Sequence, residues 1–249
     1  MKADWLFIAD AHLREGDLDR QARVVRFLEQ EKENLDTLVI LGDLFEFWFG
    51  FDTFAFEGYR AVLDELETLV KRGVRIRYTE GNHDFGLGSY FQDTLRAHID
   101  VRESVIELGE RRVYMAHGDL VDPEDWLYRA FRRVLKNAFT YWVMRHVGPG
   151  PTKRVASILS AVSLGKQGHR RVERVDDVFQ RFAMSKFREG CDVVILAHRH
   201  VPQSCSFLVD GREAQYFNVG DWMNHFSFLR YRPGQGFRIE YFQTSEQPS

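Results

Sequence analysis

Trp5-Leu6-Phe7-Ile8-Ala9-Asp10-Ala11-His12 places an unbroken apolar run directly ahead of an aspartate and a histidine. Such a run, without polar alternation, reads as a strand buried on both faces, the habit of parallel strands inside an α/β sheet. Side chains that follow such a strand emerge at its carboxyl end, where open α/β sheets gather their sites. The arrangement recurs. Leu38-Val39-Ile40-Leu41 precedes Gly42-Asp43, Val113-Tyr114-Met115-Ala116 precedes His117-Gly118-Asp119, and Val193-Val194-Ile195-Leu196-Ala197 precedes His198-Arg199-His200. A more polar strand-like stretch, Val74 to Thr79, leads into Gly81-Asn82-His83-Asp84. Residues distant in sequence thus converge at the strand ends, and their types suit two divalent metal ions.

Working outward, helical periodicity covers Leu18 to Glu33 and Glu57 to Arg72, the second with Val62, Leu66, Leu69 and Val70 on one face and Gly73 after its last turn. Val101–Leu108 and Arg112–Ala116 flank a hairpin turn at Gly109-Glu110. From Pro123 to Lys186 the pattern is helical, opened by Asp122-Pro123-Glu124-Asp125 as an N-terminal cap. Gly148-Pro149-Gly150-Pro151 interrupts it, and Gly165 and Gly168 mark a loop before a helix over 172–187. Strands then follow at Ser204–Val209, Ala214–Val219, His225–Arg232 and Phe237–Phe242. Early α/β alternation followed by late antiparallel β predicts an α/β fold of two sheets packed face to face with helices outside. Residues 1–122 and 190–249 form the core of a single domain, and 123–189 form an inserted helical lid beside the strand ends.

The 249 residues suffice for a full core, and a charged fraction of 29% with 44% hydrophobic residues excludes disordered and fibrous classes. Cys191 and Cys205 lack metal-site spacing and read as free thiols. The chain runs straight into a strand at Asp4-Trp5-Leu6, so no signal peptide is expected, and no apolar run approaches the ~20 residues that span a bilayer. The expected location is the cytoplasm, with the cytoplasmic face of the inner membrane open to a peripheral protein. Net charge is -3, unevenly spread. From Glu124 to Glu189 there are 14 Lys and Arg against 6 Asp and Glu, while the remainder has 20 against 31. A basic insertion on an acidic body points to an anionic partner such as phosphate, nucleic acid or a lipid surface.

Two cations held close together need an anion between them, and Asp43 is the candidate bridge. Asp10, His12 and His200 complete one site with it; Asn82, His117 and His198 complete the other. Mixed carboxylate and imidazole donors suit Mn²⁺, Fe²⁺ or Zn²⁺. The neutral Asn82 carbonyl limits negative charge and keeps the ions electrophilic. A pair of ions ~3.5–4 Å apart activates water near neutral pH and clamps both oxygens of an in-line phosphoryl displacement. His83 follows Asn82 and is a candidate to protonate the leaving group or to neutralise the transition-state oxyanion, with Asp84 expected to orient it. His98, His146 and His169 read as ordinary surface or core residues.

The ordered pattern Asp-x-His, Gly-Asp, Gly-Asn-His-Asp, His-Gly-Asp and His-x-His, from Asp10 to His200, resembles the calcineurin-like metallophosphoesterase superfamily. That resemblance implies a four-layer αββα sandwich of two mixed sheets. Gly42-Asp43-Leu44-Phe45-Glu46-Phe47-Trp48, Gly81-Asn82-His83-Asp84-Phe85-Gly86-Leu87-Gly88, the length and the basic insertion resemble the UDP-2,3-diacylglucosamine pyrophosphohydrolase family of lipid A biosynthesis. This implies Mn²⁺-dependent hydrolysis at the α-phosphorus of a UDP-lipid, giving UMP and 2,3-diacylglucosamine 1-phosphate. It also implies substrate contacts at Asn82, His83, Asp125 and His198. A lid that holds acyl chains would draw on Trp126, Phe131, Leu135, Phe139, Trp142, Val143 and Met144, although a stripe at helical spacing more often packs on the body. The chain departs from the family at His83, where arginine is common, and at Ala197-His198-Arg199-His200, where glycine usually precedes the first histidine. The lid's polar run is not recognisable around Lys166–Arg174.

The alternative reading is a phosphodiesterase or phosphatase of the same superfamily acting on soluble nucleotides or other phosphoesters. A nucleic-acid enzyme is disfavoured, because the insertion's aromatics interleave with aliphatics and the net charge is negative. No obligate protein partner is expected. A catalytically dead scaffold would lack ligands, and all the candidate ligands are in place.

Overall fold

The computed structural model describes residues 3–50, 57–147 and 172–243. The apolar runs become strands whose alternate residues enter different layers. In β1 (Asp4–Ile8), Leu6 and Ile8 face one core and Phe7 another. In β2 (Leu35–Ile40), Leu38 and Ile40 separate from Val39 in the same way. β3 (Arg75–Thr79) and β4 (His98–Asp100) extend the parallel set, and β10 (Ser227–Arg232) and β11 (Gly236–Tyr241) join antiparallel on the other side of β1. The six-stranded order is β11-β10-β1-β2-β3-β4. The second sheet contains β5 (Glu103–Leu108), β6 (Arg111–Ala116), β7 (Val193–Leu196), β8 (Gln203–Val209) and β9 (Arg212–Asn218), in the order β5-β6-β7-β9-β8. β6, β7 and β9 are parallel, with antiparallel strands at both edges.

Between the sheets, Phe7, Val39, Leu41 and Leu229 meet Val113, Met115, Val193, Ile195 and Phe217. Helices α1 (Leu18–Glu31) and α2 (Arg60–Lys71) cover the outer face of the first sheet through Val24, Phe27, Leu28, Val62, Leu63, Leu66 and Leu69. Asp17 caps α1, its carboxylate accepting from the Arg20 amide at 3.1 Å. Beyond the two helices α3 (Trp126–Leu135) and α4 (Ala138–Val147), α5 (Val172–Arg188) lays Phe179, Ala183 and Phe187 on Tyr114, Val194, Leu196 and Tyr216 of the second sheet. The layers therefore run helix, sheet, sheet, helix, as the pattern predicted. Both cysteines are free thiols.

Local differences have local causes. The helix expected to open at Asp122-Pro123 begins at Trp126; Asp122 instead turns the chain by accepting from the Glu124 amide (2.9 Å), and Asp125 is the cap. The first helical break comes at Lys136-Asn137, where the Asn137 carboxamide restarts α4 by accepting from the Thr140 amide at 2.9 Å. β4 was hidden in His98-Ile99-Asp100, too short and polar to show alternation. The interruptions expected at 148–151 and 165–168, His169 and most of the stretch 166–174 lie outside the described residues.

Candidate metal centre

Each candidate ligand leaves the carboxyl end of a strand. β1, β2 and β3 are consecutive neighbours in one sheet, and β6 and β7 are neighbours in the other, so their following loops meet at one end of the sandwich. The loops turn back abruptly. Asp10, His12, Asp43, His198 and His200 all have left-handed backbones, with φ of 52°, 44°, 53°, 71° and 61°. Asp and His tolerate that region better than most residues, and such strain at ~1–3 kcal/mol each persists only where neighbours over-determine it. Here the loops brace one another. The Asp10 amide donates to Gly42 O (3.1 Å), the His12 amide to Asp43 O (3.0 Å), and the His198 amide to Asp10 Oδ2 (2.8 Å). At Gly81 a Cβ would overlap the Asp43 carboxylate, so only glycine lets the two loops approach this closely.

The side chains form a chain of donor groups. Asp10, His12 and His200 make one group, and Asp43, His117 and His198 another, with the ligand atoms of each within 4.8 Å of one another. Asp43 stands between them: its Oδ2 lies 3.8 Å from His12 Nε2 and 3.4 Å from His117 Nε2. Asn82 Oδ1 is 3.0 Å from His117 Nε2, and His198 Nδ1 is 3.2 Å from the same nitrogen. His117 Nδ1 faces the Leu41 carbonyl at 2.7 Å, which fixes that nitrogen as the donor and turns Nε2 into the cluster. His83 closes a third group with His12 and Asp43, its ring 4.7 Å from that of His12. The seven ligand candidates and His83 are thus brought together.

Electrostatics at the cluster are those of crowded opposite charges. Burial raises the Asp10 carboxyl above its usual value. Burial also lifts Asp43, but the His117, His83 and His12 imidazoles outweigh it and hold that carboxyl well below the ordinary range. His117 is pushed up to about 10, because Asp43 and Asp10 overcome its desolvation. His198 falls to about 3 through burial and the neighbouring His117 charge. A proton on His117 answers the buried carboxylates, and a divalent cation would do so with more donors.

The residues fit such ions. Asp10 Oδ1, His12 Nε2 and His200 Nδ1 are buried without a hydrogen-bond partner, a costly state for polar atoms unless something else satisfies them. Imidazole, carboxylate and amide oxygen are the donors of hydrolytic Mn²⁺, Fe²⁺ and Zn²⁺ sites.

Asp84 corrects an expectation. It was expected to orient His83, but its buried carboxylate accepts from the amides of Asp43 (2.9 Å), Leu44 (2.7 Å) and Gly81 (3.0 Å) and from the Tyr78 hydroxyl (2.5 Å). It fixes the two loops to each other, and burial beside Asp43 raises it to about 6. His83 Nδ1 instead lies 2.9 Å from the carbonyl of Glu46. Two acids escaped the sequence reading. Glu46 Oε2 is 3.2 Å from His12 Nδ1, and buried Asp221 Oδ2 is 3.8 Å from His200 Nδ1. Asp221 had a signal: Gly220-Asp221 follows β9 as Gly42-Asp43 follows β2.

The basic insertion meets the centre through α3. Tyr128 donates to Asp119 Oδ2 (2.7 Å), Arg132 pairs with the same oxygen (2.5 Å), and Lys136 donates to Glu80 Oε2 (3.2 Å) and Gly81 O (2.8 Å). Asp125 is half-buried and caps the helix, accepting from the Tyr128 amide at 3.3 Å. Elsewhere on α3 and α4, Trp126, Phe139 and Trp142 are exposed at 67%, 71% and 56%. Leu135 and Val143 are partly buried, and the side chains of Phe131 and Met144 lie outside the description.

Comparison with known proteins agrees with this architecture. The family model for calcineurin-like phosphoesterases matches residues 5–202, and the chain belongs to that family. It is 33% identical over 237 residues to the UDP-2,3-diacylglucosamine hydrolase of Aeromonas salmonicida, covering 92% of this chain and 90% of that one. The protein of the same name from Aeromonas hydrophila is 32% identical, with 92% and 95% covered. That of Pseudomonas putida strain F1 is 30% identical, with 96% and 99% covered.

Proposed function

We propose that this calcineurin-like phosphoesterase hydrolyses UDP-2,3-diacylglucosamine at its α-phosphorus, giving UMP and 2,3-diacylglucosamine 1-phosphate. The observation that carries the reading is the pairing of two donor groups around Asp43 with exposed aromatic helices anchored beside them. Relatives named for this substrate, matched over nearly their whole length, support it.

Asp10, His12, Asp43 and His200 would hold one ion, and Asp43, Asn82, His117 and His198 the other, Mn²⁺ being the proposed metal. When bound, two such ions supply Lewis-acid activation of water and of the phosphate. The protein's own groups do the rest. Asp43 keeps the two positions in register, since its backbone is fixed by Asp84 and its Oδ1 accepts from the His83 amide at 2.9 Å. His83, with Nδ1 held by the Glu46 carbonyl, directs its other nitrogen toward the departing sugar phosphate and donates a proton there. Asn82, His83, Asp125 and His198 line the diphosphate path. Of the insertion expected over 123–189, α5 is a layer of the body, while α3 and α4 act as a lid in which Trp126, Phe139 and Trp142 receive acyl chains at the cytoplasmic surface of the inner membrane. Among the described residues no helix is long and apolar enough to cross a membrane.

The test is hydrolysis by Mn²⁺-loaded protein of UDP-2,3-diacylglucosamine against UDP-glucose and bis(p-nitrophenyl) phosphate. Efficient cleavage of the lipid, abolished by chelation, supports the reading. Cleavage of only the soluble esters assigns the site to soluble phosphoesters instead.

A further inference from the structure

The two donor groups are backed differently. Behind His12 stands Glu46, its carboxylate 3.2 Å from Nδ1, so the ring presents Nε2 toward Asp10 and Asp43 at 3.8 Å each. Near His200 lies Asp221, 3.8 Å from Nδ1 and too far for a hydrogen bond, while the ring's Nε2 lies 3.9 Å from Asp10. Asp221 accepts from the amides of Asn224 (2.9 Å) and His225 (2.8 Å) and lies 3.2 Å from the His225 Nδ1, so its carboxylate is engaged on its own loop. The other group has no such support. His117 rests on the neutral Leu41 carbonyl, and the nearby Asp119 is engaged by Arg132 and Tyr128. Among the described residues, neither His117 nor His198 has a carboxylate behind it.

A carboxylate behind a ligating imidazole fixes the ring and raises its donor strength, and loss of such a partner typically weakens metal binding about 10–100-fold. We propose that the two metal positions are unequal, the Asp10–His12–His200 position binding its ion more tightly because Glu46 backs the His12 imidazole. Glu46 is a positioning residue, and it has a second task. Its main-chain carbonyl holds His83, so one residue sets a metal ligand with its side chain and the proposed proton donor with its backbone. The inference rests on the metal-binding reading above.

The experiment is Mn²⁺ titration of the chelator-stripped full chain, with free Mn²⁺ followed by electron paramagnetic resonance. Two classes of site differing by about tenfold or more are expected. Glu46→Gln and Glu46→Ala should weaken the tighter class progressively, Ala toward about 100-fold, and leave the weaker class within about twofold. Asn82→Ala should remove the weaker class alone. Thermal unfolding in chelator separates these effects from misfolding, and Glu46→Ala keeps the carbonyl that holds His83. Two equal classes, or a Glu46 substitution that weakens both classes alike or neither, would overturn the inequality. Absence of any Mn²⁺ binding by the wild-type chain would instead overturn the metal reading itself.

Discussion

The strand-end cluster and the helices α3 and α4, the proposed lid, share one end of the molecule but are built on opposite plans. In the cluster each loop is tied to the next by backbone bonds, the left-handed turns are over-determined, and Asp10 and Asp43 are sealed from solvent. In α3 and α4 Trp126, Phe139 and Trp142 look outward, and the links to the body are the polar contacts of Tyr128, Arg132 and Lys136 and the packing of Tyr141 on Phe49 and Phe85. The two regions suit different tasks: chemistry needs donors held to within tenths of an ångström, whereas the proposed surface for flexible apolar chains needs area more than geometry. Substitutions in the two regions should therefore fail in different ways.

The largest effect is expected at the shared carboxylate. Asp43→Ala removes the donor common to both groups; metal content by elemental analysis should collapse, and turnover should fall by at least about 10⁴-fold, given that enzymes supply ~10⁶-fold or more. Full metal content in that variant would break the comparison at its centre. His83→Ala should come next, keeping its metals while kcat drops about 10²–10⁴-fold, the range for a lost general acid. An unchanged kcat would remove His83 from the chemistry.

How far this division was legible in the sequence depended on how local the cause was. Buried strands announce themselves by unbroken apolar runs, and the ligand loops by following them, so the sandwich and its donor residues could be read from Trp5 to His200. The direction of Asp84 could not. Its carboxylate is claimed by the amides of Asp43 and Leu44, some forty residues away, while a reading of neighbours pairs it with His83. Glu46 sat inside a quoted motif, yet only the turn of its loop brings its acid to His12 and its carbonyl to His83. The break at Lys136-Asn137 was equally hidden, because Lys136 leaves the helical pattern to reach Glu80 and Gly81.

The link between the regions offers a sharper test. Arg132→Met leaves the buried Asp119 carboxylate without its cation, and breaking such a pair costs about 3–5 kcal/mol. For a chain of this size that should lower Tm by ~6 °C or more, read by differential scanning calorimetry. A shift below 1 °C would show that the lid and the cluster are not energetically joined through this pair. The smallest structural effect belongs to the lid surface. Trp126→Ser with Trp142→Ser should change stability by about 0.5 kcal/mol or less at each exposed site, yet raise KM for the diacyl substrate while leaving a small phosphodiester untouched. Equal losses on both substrates would deny the lid its role in recognition.

Proton release sharpens the cluster side of the comparison. His117, held up to about 10 by Asp43 and Asp10, keeps its proton at neutral pH and must give it up to a metal. Mn²⁺ binding at pH 7.5 should therefore release protons, seen by calorimetry in buffers of different ionisation enthalpy, and affinity should strengthen as pH rises toward 10. A pH-independent affinity would contradict the assignment of His117.

The most direct test of the account is hydrolysis of UDP-2,3-diacylglucosamine in ¹⁸O-labelled water by the Mn²⁺-loaded protein, with mass analysis of both products. Cleavage with the label in UMP is expected, as attack at the α-phosphorus requires. Label in the sugar phosphate, or an untouched lipid beside active metal-loaded protein, would contradict it.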